Sequence, residues 1–241
     1  MIRSARLRRI LANAARQITP PLIWAGGKLV LGMRAAMDYQ FVRTGHSTRP
    51  LHEGRFAEIF ERYQALDPYV AMNVTRLRIY NICAFARLCS NIAGDYAFVG
   101  VSFGVAARIV YEFTNFETLG KTFHLVDPFE TIDEQYNDDV DYVRGQYPAS
   151  APIKFVQDTI PECLPIEGIR CLSFVHLNTG DWESEAKSLP YFYEALSAGG
   201  VIIVDDYAID KGHFDIYDPV FKHLRIEPYW MPTGQCAIVK I

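Results

Sequence analysis

Apolar positions along the chain switch repeatedly between helical spacing and short strand-like runs. Helical spacing covers residues 56–66, 75–92, 104–116, 134–146 and 183–196. Runs rich in β-branched and aromatic residues predict strands at 96–101, 122–127, 153–157, 171–177 and 200–205, near 224–230, and at 235–241. Because helices separate most of these strands, the pattern predicts βαβ units. We therefore expect an α/β fold with a mostly parallel, seven-stranded sheet and helices on both faces.

The amino-terminal part has a different character. Residues 2–16 form a basic amphipathic helix in the pattern, with an apolar stripe and arginines largely off it. We expect residues 1–74 to be a basic arm with a helical extension, followed by a ligand-binding domain at 75–241. The arm either docks on the body or on a second copy of the chain, giving a homo-oligomer, or contacts an anionic membrane surface through residues 1–34.

Charge and cysteine content narrow the possible partners. The 241-residue chain has a net charge of −4, although no acidic residue precedes Asp38, so the rest of the chain is clearly acidic. An acidic body argues against nucleic acid as a partner. The five cysteines are scattered without a paired spacing, and residues 22–33 are too short an apolar run to span a membrane. These features predict a cytoplasmic protein, with membrane attachment limited to peripheral contact.

The run Val201–Val204 followed by Asp205 and Asp206 is the most informative feature. Four β-branched apolar residues predict a strand buried on both faces, and side chains after such a strand point into the ligand crevice of open α/β sheets. Two adjacent carboxylates repel each other, and a divalent cation, a cationic ligand or a shared proton relieves that repulsion. In the alternative interpretation, one Asp caps a turn and the other is solvated.

Two earlier strands also end in groups suited to a ligand. The first predicted strand runs into Gly100-Val101-Ser102-Phe103-Gly104, where glycines permit a tight turn before a helix. This spacing differs from the dinucleotide fingerprint and favours a ligand without phosphates. Asp127 ends the next strand, where a carboxylate can accept both hydroxyls of a ribose, and Asp158 follows the third strand, near an adenine edge. The alternative for Asp127 is an ordinary Asp-Pro turn.

With these motifs the chain resembles the class I S-adenosylmethionine-dependent methyltransferases, and within them the macrocin-type sugar O-methyltransferases. The resemblance covers residues 75–241 and rests on the segments 94–104, 125–130, 176–184, 199–207 and 232–235. It implies a Rossmann-like fold and S-adenosylmethionine held by Gly100, Ser102, Gly104, Asp127 and Asp158. It also implies a divalent metal, typically magnesium, held by Asp205, Asp206 and the residue at position 178.

Three positions depart from the family pattern. Phe98, Asn178 and Gly180 stand where the family usually has acidic residues. An amide binds a cation less strongly than a carboxylate and cannot take a proton, so Asn178 weakens both the metal site and the base. Asp205, His176 and Asp181 are the candidates for catalytic groups, and His213 lies in a predicted loop that can close over the crevice. For Asp181 the alternative role is a helix N-cap, and for His176 a core position.

The sequence therefore supports two functions of different classes. The leading hypothesis is an S-adenosylmethionine-dependent O-methyltransferase that acts on a hydroxyl of a sugar or sugar-bearing small molecule, assisted by magnesium. The alternative is a non-catalytic protein of the same fold that serves as a scaffold or subunit partner, as the three departures indicate.

Overall fold

The structure, a computed structural model, describes residues 35–38, 41–44, 49–64, 76–130, 139–208 and 211–241. The chain divides into two compact units, residues 1–47 and 48–241. In the first unit, strands β1 (Ala35–Asp38) and β2 (Phe41–Thr44) pair as an antiparallel hairpin that the pattern did not predict. The arm predicted for residues 1–34 lies outside the described residues, and the domain boundary predicted after residue 74 falls within the undescribed stretch 65–75.

The second unit contains the predicted alternation of helices and strands. Its helices are α1 (Arg49–His52), α2 (Arg55–Tyr63), α3 (Arg76–Leu88), α4 (Val105–Thr114), α5 (Val140–Gly145), α6 (Trp182–Ala195) and α7 (Lys211–Leu224). Its strands are β3 (Asp95–Val99), β4 (Phe123–Asp127), β5 (Ile153–Gln157), β6 (Leu172–Leu177), β7 (Leu196–Val204), β8 (Tyr229–Trp230) and β9 (Cys236–Val239). Short 3-10 turns follow α3 and α4 at Cys89–Asn91 and Phe116–Thr118.

The strands of this unit form one seven-stranded sheet in the order β5-β4-β3-β6-β7-β9-β8. The first five are parallel, whereas β9 runs antiparallel to both β7 and β8. The predicted mostly parallel sheet is thus confirmed. The chain order proceeds outward in one direction from β3 to β5 and in the other from β6 to β7, which creates a topological switch point between β3 and β6.

Alternate residues of the buried strands supply two separate apolar layers. In β3, Tyr96 and Phe98 point into a layer formed with α2, α3 and α4, while Ala97 and Val99 point into one formed with α6 and α7. The strands β3 and β6 are buried along nearly their whole length, as continuous apolar runs of a parallel sheet require. This two-sided burial fixes the height at which each strand ends, and therefore the position of the residues that follow it.

The largest difference from the predicted elements lies after β7. The pattern placed a loop around His213 and a strand near 224–230, but Lys211–Leu224 is a helix and only Tyr229–Trp230 is a strand there. Tyr217 and Phe221, which stand at helical spacing, pack into the core, and this spacing is the sequence signal for the helix. Of the helix predicted at 134–146, Val140–Gly145 is helical, and residues 131–138 lie outside the described part.

Candidate functional site

The predicted site residues come together because the four central strands end in one row. In the parallel register, Val99 pairs with both Val126 and Leu177, and Leu177 pairs with Val204. The next residue of each strand or loop is Asp127, Gly100, Asn178 or Asp205, so these four residues form the following row across the sheet. This register explains why the strand-end groups predicted from the sequence lie at one edge of the sheet.

Gly100 allows the loop after β3 to approach the loop after β6 closely. Its φ is +86°, and a Cβ built on it would lie 1.9 Å from the backbone oxygen of Asn178. No side chain fits there, since real Cβ atoms do not approach backbone atoms to less than about 3 Å. Gly104 has a different role: it stands at the N-cap of α4 in the left-handed conformation, against Val143 of α5.

A cavity of about 290 Å³ opens at the switch point, on the carboxyl side of β3, β4, β5 and β6. Ligand pockets typically start at about this size. Loops after all four strands line it, with Val99, Gly100, Ser102, Val126, Asp127, Pro128, Glu130, Asp158, Thr159, Ile160, Asn178, Thr179, Asp181 and Ser184. Four of the five predicted cofactor residues therefore line one cavity. Gly104 follows Ser102 by two residues in the chain but does not line the cavity.

The carboxylate of Asp127 is fixed by backbone N–H groups on both of its oxygens. Val101 N and Ser102 N donate to Oδ2 over 2.6 and 3.1 Å, and Phe129 N donates to Oδ1 over 2.7 Å. These contacts join the end of β4 to the glycine turn. Asp158 is exposed, and among the described residues its carboxylate accepts a hydrogen bond only from the neighbouring Thr159 N, at 2.8 Å.

Asp205 and Asp206 are bridged by a side chain from a different part of the chain. Arg78, buried on α3, places one guanidinium nitrogen, Nη2, 2.6 Å from Asp205 Oδ2 and 2.5 Å from Asp206 Oδ1. The same nitrogen donates to the backbone oxygen of Asp205 over 2.7 Å. Two amides also contact the Asp205 carboxylate: Gln235 Nε2 donates to Oδ1 at 2.5 Å, and Asn178 Nδ2 donates to Oδ2 at 3.2 Å.

This arrangement keeps Asp205 charged inside the protein. Burial by itself would raise the pKa of the Asp205 carboxyl, but the positive charge of Arg78, together with the effects of His176 and Gln235, outweighs burial and lowers the pKa to about 2. The pKa of Arg78 is correspondingly raised, because the two carboxylates overcome the opposing effect of burial. Asp205 therefore is a fixed, paired anion at neutral pH.

The other predicted catalytic groups occupy quite different surroundings. His176 is 2% exposed, packs at a tilt against Phe98 with ring centroids 4.7 Å apart, and has Nε2 3.7 Å from Asp205 Oδ1. Asp181 is exposed, lines the cavity and caps α6, accepting from Ser184 N at 3.2 Å and Ser184 Oγ at 2.7 Å. These hydrogen bonds lower the pKa of Asp181.

His213 is not in the lid-like loop that the sequence suggested. It lies in α7, is 1% exposed, and packs on Trp182 with ring centroids 3.8 Å apart. Its side chain thus joins α7 to the start of α6.

Two buried charged residues that support the site were not predicted from the sequence. Arg78 lies one helical turn before Ile82 and two turns before Ala86 on the buried face of α3, so an arginine within an apolar stripe was the available signal. Glu185 of α6 accepts hydrogen bonds from Thr179 N at 2.6 Å, Thr179 Oγ1 at 2.9 Å and Tyr217 Oη at 2.6 Å. Its burial raises its pKa, and its contacts fix the loop after β6.

The donor set at Asp205, Asp206 and Asn178 does not fit a magnesium ion. Mg²⁺ requires free oxygen ligands in octahedral geometry, but Asn178 directs its NH₂ group at Asp205 and a guanidinium already bridges the carboxylates. Within the described ranges there is no group of three or more His, Cys, Asp or Glu residues suited to a metal. The same ranges contain no helix long and apolar enough to cross a membrane.

Residues 149–223 match the family model described as macrocin-O-methyltransferase (TylF). No curated protein matches the chain by sequence.

Several solved structures share the fold. The O-methyltransferase NovP is 19% identical with a TM-score of 0.57, over 69% of this chain and 81% of NovP. Apo CalS11, described as a TDP-rhamnose 3'-O-methyltransferase of calicheamicin biosynthesis, is 13% identical with a TM-score of 0.54, over 80% and 99%. The SAH-bound methyltransferase PaMTH1 of Podospora anserina is 14% identical with a TM-score of 0.55, over 93% and 98%.

These findings confirm the resemblance that the sequence motifs predicted. The family match covers the strand β6, the capped helix α6 and the block that ends in Asp205-Asp206, where the most specific motifs lie. The chain therefore shares the fold of these methyltransferases and is similar to macrocin O-methyltransferase over residues 149–223.

Proposed function

We propose that the chain binds S-adenosylmethionine in the cavity at the switch point and methylates a hydroxyl group of a sugar or sugar-bearing small molecule. The observation that carries the proposal is that Gly100, Ser102, Asp127 and Asp158 line one cavity at the ends of three successive strands. The match to macrocin O-methyltransferase and the sugar substrate named for CalS11 support a sugar acceptor.

The residues present fit this cofactor. Asp127 is placed by three backbone N–H groups so that its carboxylate faces the cavity beside the glycine turn, where it can accept ribose hydroxyls. Asp158 offers an exposed carboxylate for the amino edge of adenine, and Pro128 and Ile160 offer apolar surface for the base. When bound, the cofactor supplies a methyl group on a positively charged sulfur.

The chain must then orient the acceptor oxygen and take its proton. A hydroxyl is a poor nucleophile until its proton is removed, so a base of the chain would have to accept the proton of the acceptor hydroxyl. We assign that role to Asp181, because among the three predicted catalytic residues it alone lines the cavity. Asp205 is held as a paired anion and His176 is buried, so both act as positioning groups for Asn178 and the loop after β6.

Replacement of the carboxyl group of Asp181 tests this assignment. Asp181→Asn keeps an N-cap side chain for α6 but cannot accept the proton, so kcat should fall by about 100-fold with unchanged affinity for S-adenosylhomocysteine. Ser184→Ala is the matched control: it removes the hydroxyl that contacts Asp181 and leaves the carboxylate, so it should keep most of the activity. Equal losses of kcat in both variants would mean that Asp181 only caps α6 and does not accept the proton.

Isothermal titration calorimetry with S-adenosylhomocysteine tests the binding site itself. Binding with one molecule per chain is the expected result, and no heat of binding at millimolar ligand would contradict the proposed function. Binding without methyl transfer to any sugar or glycosylated acceptor would favour the non-catalytic scaffold. A cytoplasmic location, a homo-oligomer and peripheral membrane contact through residues 1–34 stay predictions from the sequence.

A further inference from the structure

The Asp205-Asp206 pair already has a cation that belongs to the chain. Arg78 Nη2 lies within 2.7 Å of three oxygens, namely Asp205 Oδ2, Asp206 Oδ1 and the backbone oxygen of Asp205. The side chains of Arg78 and Asp205 are each 7% exposed, and that of Asp206 is 21% exposed. A guanidinium at this depth is a permanent charge, because its pKa lies above the physiological range in any protein environment.

The hydrogen-bond donors around Asp205 suit a carboxylate that has no metal bound to it. Gln235 Nε2 donates to Oδ1, while Arg78 Nη2 and Asn178 Nδ2 donate to Oδ2, so hydrogen-bond donors contact both oxygens. Gln235 is itself oriented, since its Oε1 accepts from Asn81 Nδ2 at 3.0 Å and from Thr233 Oγ1 at 2.7 Å. An amide that faces a carboxylate must present its NH₂ group, which is no ligand for a hard cation.

Charge counting leads to the same conclusion. Arg78 neutralises one of the two carboxylate charges, and the cluster of Arg78, Asp205 and Asp206 keeps about one negative charge. A magnesium ion added beside the guanidinium would lie within a few ångströms of a like charge in a buried region. The repulsion there is much stronger than in water. Removal of the guanidinium would instead leave two adjacent carboxylates without their bridging cation, and the repulsion between them favours a divalent cation.

We propose that Arg78 is the resident cation of this site, standing where the related pattern implies a divalent metal, and that the chain acts without a metal at Asp205. Arg78 is a positioning residue. Through Asp205 it holds the side chain of Asn178, whose backbone contacts Gly100 and lines the cavity. The inference rests on the proposed function only for its catalytic meaning, since the cation site itself can be measured without turnover.

Manganese binding, followed by the electron paramagnetic resonance signal of free Mn²⁺, tests this proposal on the full chain. The wild type should take up no more Mn²⁺ than Asp205→Asn, because Arg78 excludes the ion. Arg78→Met should bind Mn²⁺ at least about tenfold more tightly than the wild type. The double variant Arg78→Met with Asp205→Asn should lose that gain.

Two results would overturn the proposal. One is a manganese equivalent bound to the wild type and lost in Asp205→Asn. The other is a folded Arg78→Met protein that binds no more manganese than the wild type. If Arg78→Met does not fold, the wild type and Asp205→Asn still decide the question, and Arg78→Lys adds a variant that keeps the charge and should also bind no manganese. Because the readout is metal binding, a failure to bind S-adenosylhomocysteine would contradict the proposed function and leave this result intact.

Discussion

The two halves of the carboxyl edge of the sheet use acidic residues in opposite ways. On the side of β4 and β5, Asp127 and Asp158 line an open cavity, and their partners in the chain are neighbouring backbone N–H groups. On the side of β7, Asp205 is buried and contacted by the side chains of Arg78, Gln235 and Asn178. A strand-end carboxylate thus faces an open cavity on one side and the protein interior on the other. The difference arises because α3 and the turn between β8 and β9 bring Arg78 and Gln235 into contact with Asp205.

Gly100 joins the two halves, and a side chain there should have the largest effect on both. Gly100→Ala places a Cβ into the backbone of Asn178 at a φ of +86°, so we expect a loss of about 4 kcal/mol or more in the free energy of unfolding. Affinity for S-adenosylhomocysteine should be lost as well. Denaturant unfolding and calorimetry measure the two effects.

Gly120→Ala is the matched control for that variant. Gly120 also has a positive φ, +65°, but no atom of the described residues lies within 4 Å of a Cβ built on it. The cost should be only the backbone strain of about 1 kcal/mol, with ligand affinity unchanged. If both variants lost equal stability, backbone conformation alone would explain Gly100, and the close approach to Asn178 would carry no weight.

The buried half should give an acid-dependent contribution to stability. The pKa of Asp205 is about 2 in the folded chain, below the usual value near 3.9 in an unfolded chain, so the folded state favours the ionised form. This contribution is fully present above about pH 4 and is lost as pH falls toward 2. It amounts to about 2 kcal/mol. The stability difference between wild type and Asp205→Asn should therefore shrink over this range, as measured by denaturant unfolding at several pH values.

Asp141→Asn supplies the comparison for the acid series. The Asp141 side chain is 79% exposed in a pair with Arg144 on α5, where solvent screens the charge. Its stability difference from the wild type should stay nearly constant with pH. A pH-independent difference for Asp205→Asn would mean that Arg78 does not hold the carboxylate in its ionised form.

The open half should respond in ligand affinity and much less in stability. Asp127→Asn replaces a carboxylate that faces the cavity by an amide, so affinity for S-adenosylhomocysteine should fall by about tenfold, or roughly 1.4 kcal/mol. Asp206→Asn, on the other half, should leave that affinity unchanged. Calorimetric titration measures the affinity of both variants. Equal losses of affinity in the two variants would contradict the distinction between the halves.

The sequence predicted the sheet and the row of strand-end residues because buried parallel strands have strong apolar patterns. The register that aligns Asp127, Gly100, Asn178 and Asp205 follows from those patterns. The helix Lys211–Leu224 was not predicted, because loop-like residues at its start obscured the helical spacing of its core positions Tyr217 and Phe221.

The partner of the Asp205-Asp206 pair could not be predicted, although a cationic ligand was one of the possibilities that the pattern left open. Arg78 lies 127 residues earlier in the chain than Asp205, and local spacing carries no information about contacts at that separation. The same holds for Gln235, which reaches Asp205 from the turn before β9. An arginine within the apolar face of α3 is the signal in the sequence that an unseen carboxylate partner exists.

A crystal structure of the chain grown with S-adenosylhomocysteine and manganese chloride tests the contrast between the two halves most directly. The predicted result is ligand density against Asp127 and Asp158 together with no anomalous manganese peak between Asp205 and Asp206, where Arg78 stays in contact with both carboxylates. Manganese bound to those carboxylates with Arg78 displaced, or a cavity without ligand at saturating concentration, would contradict it.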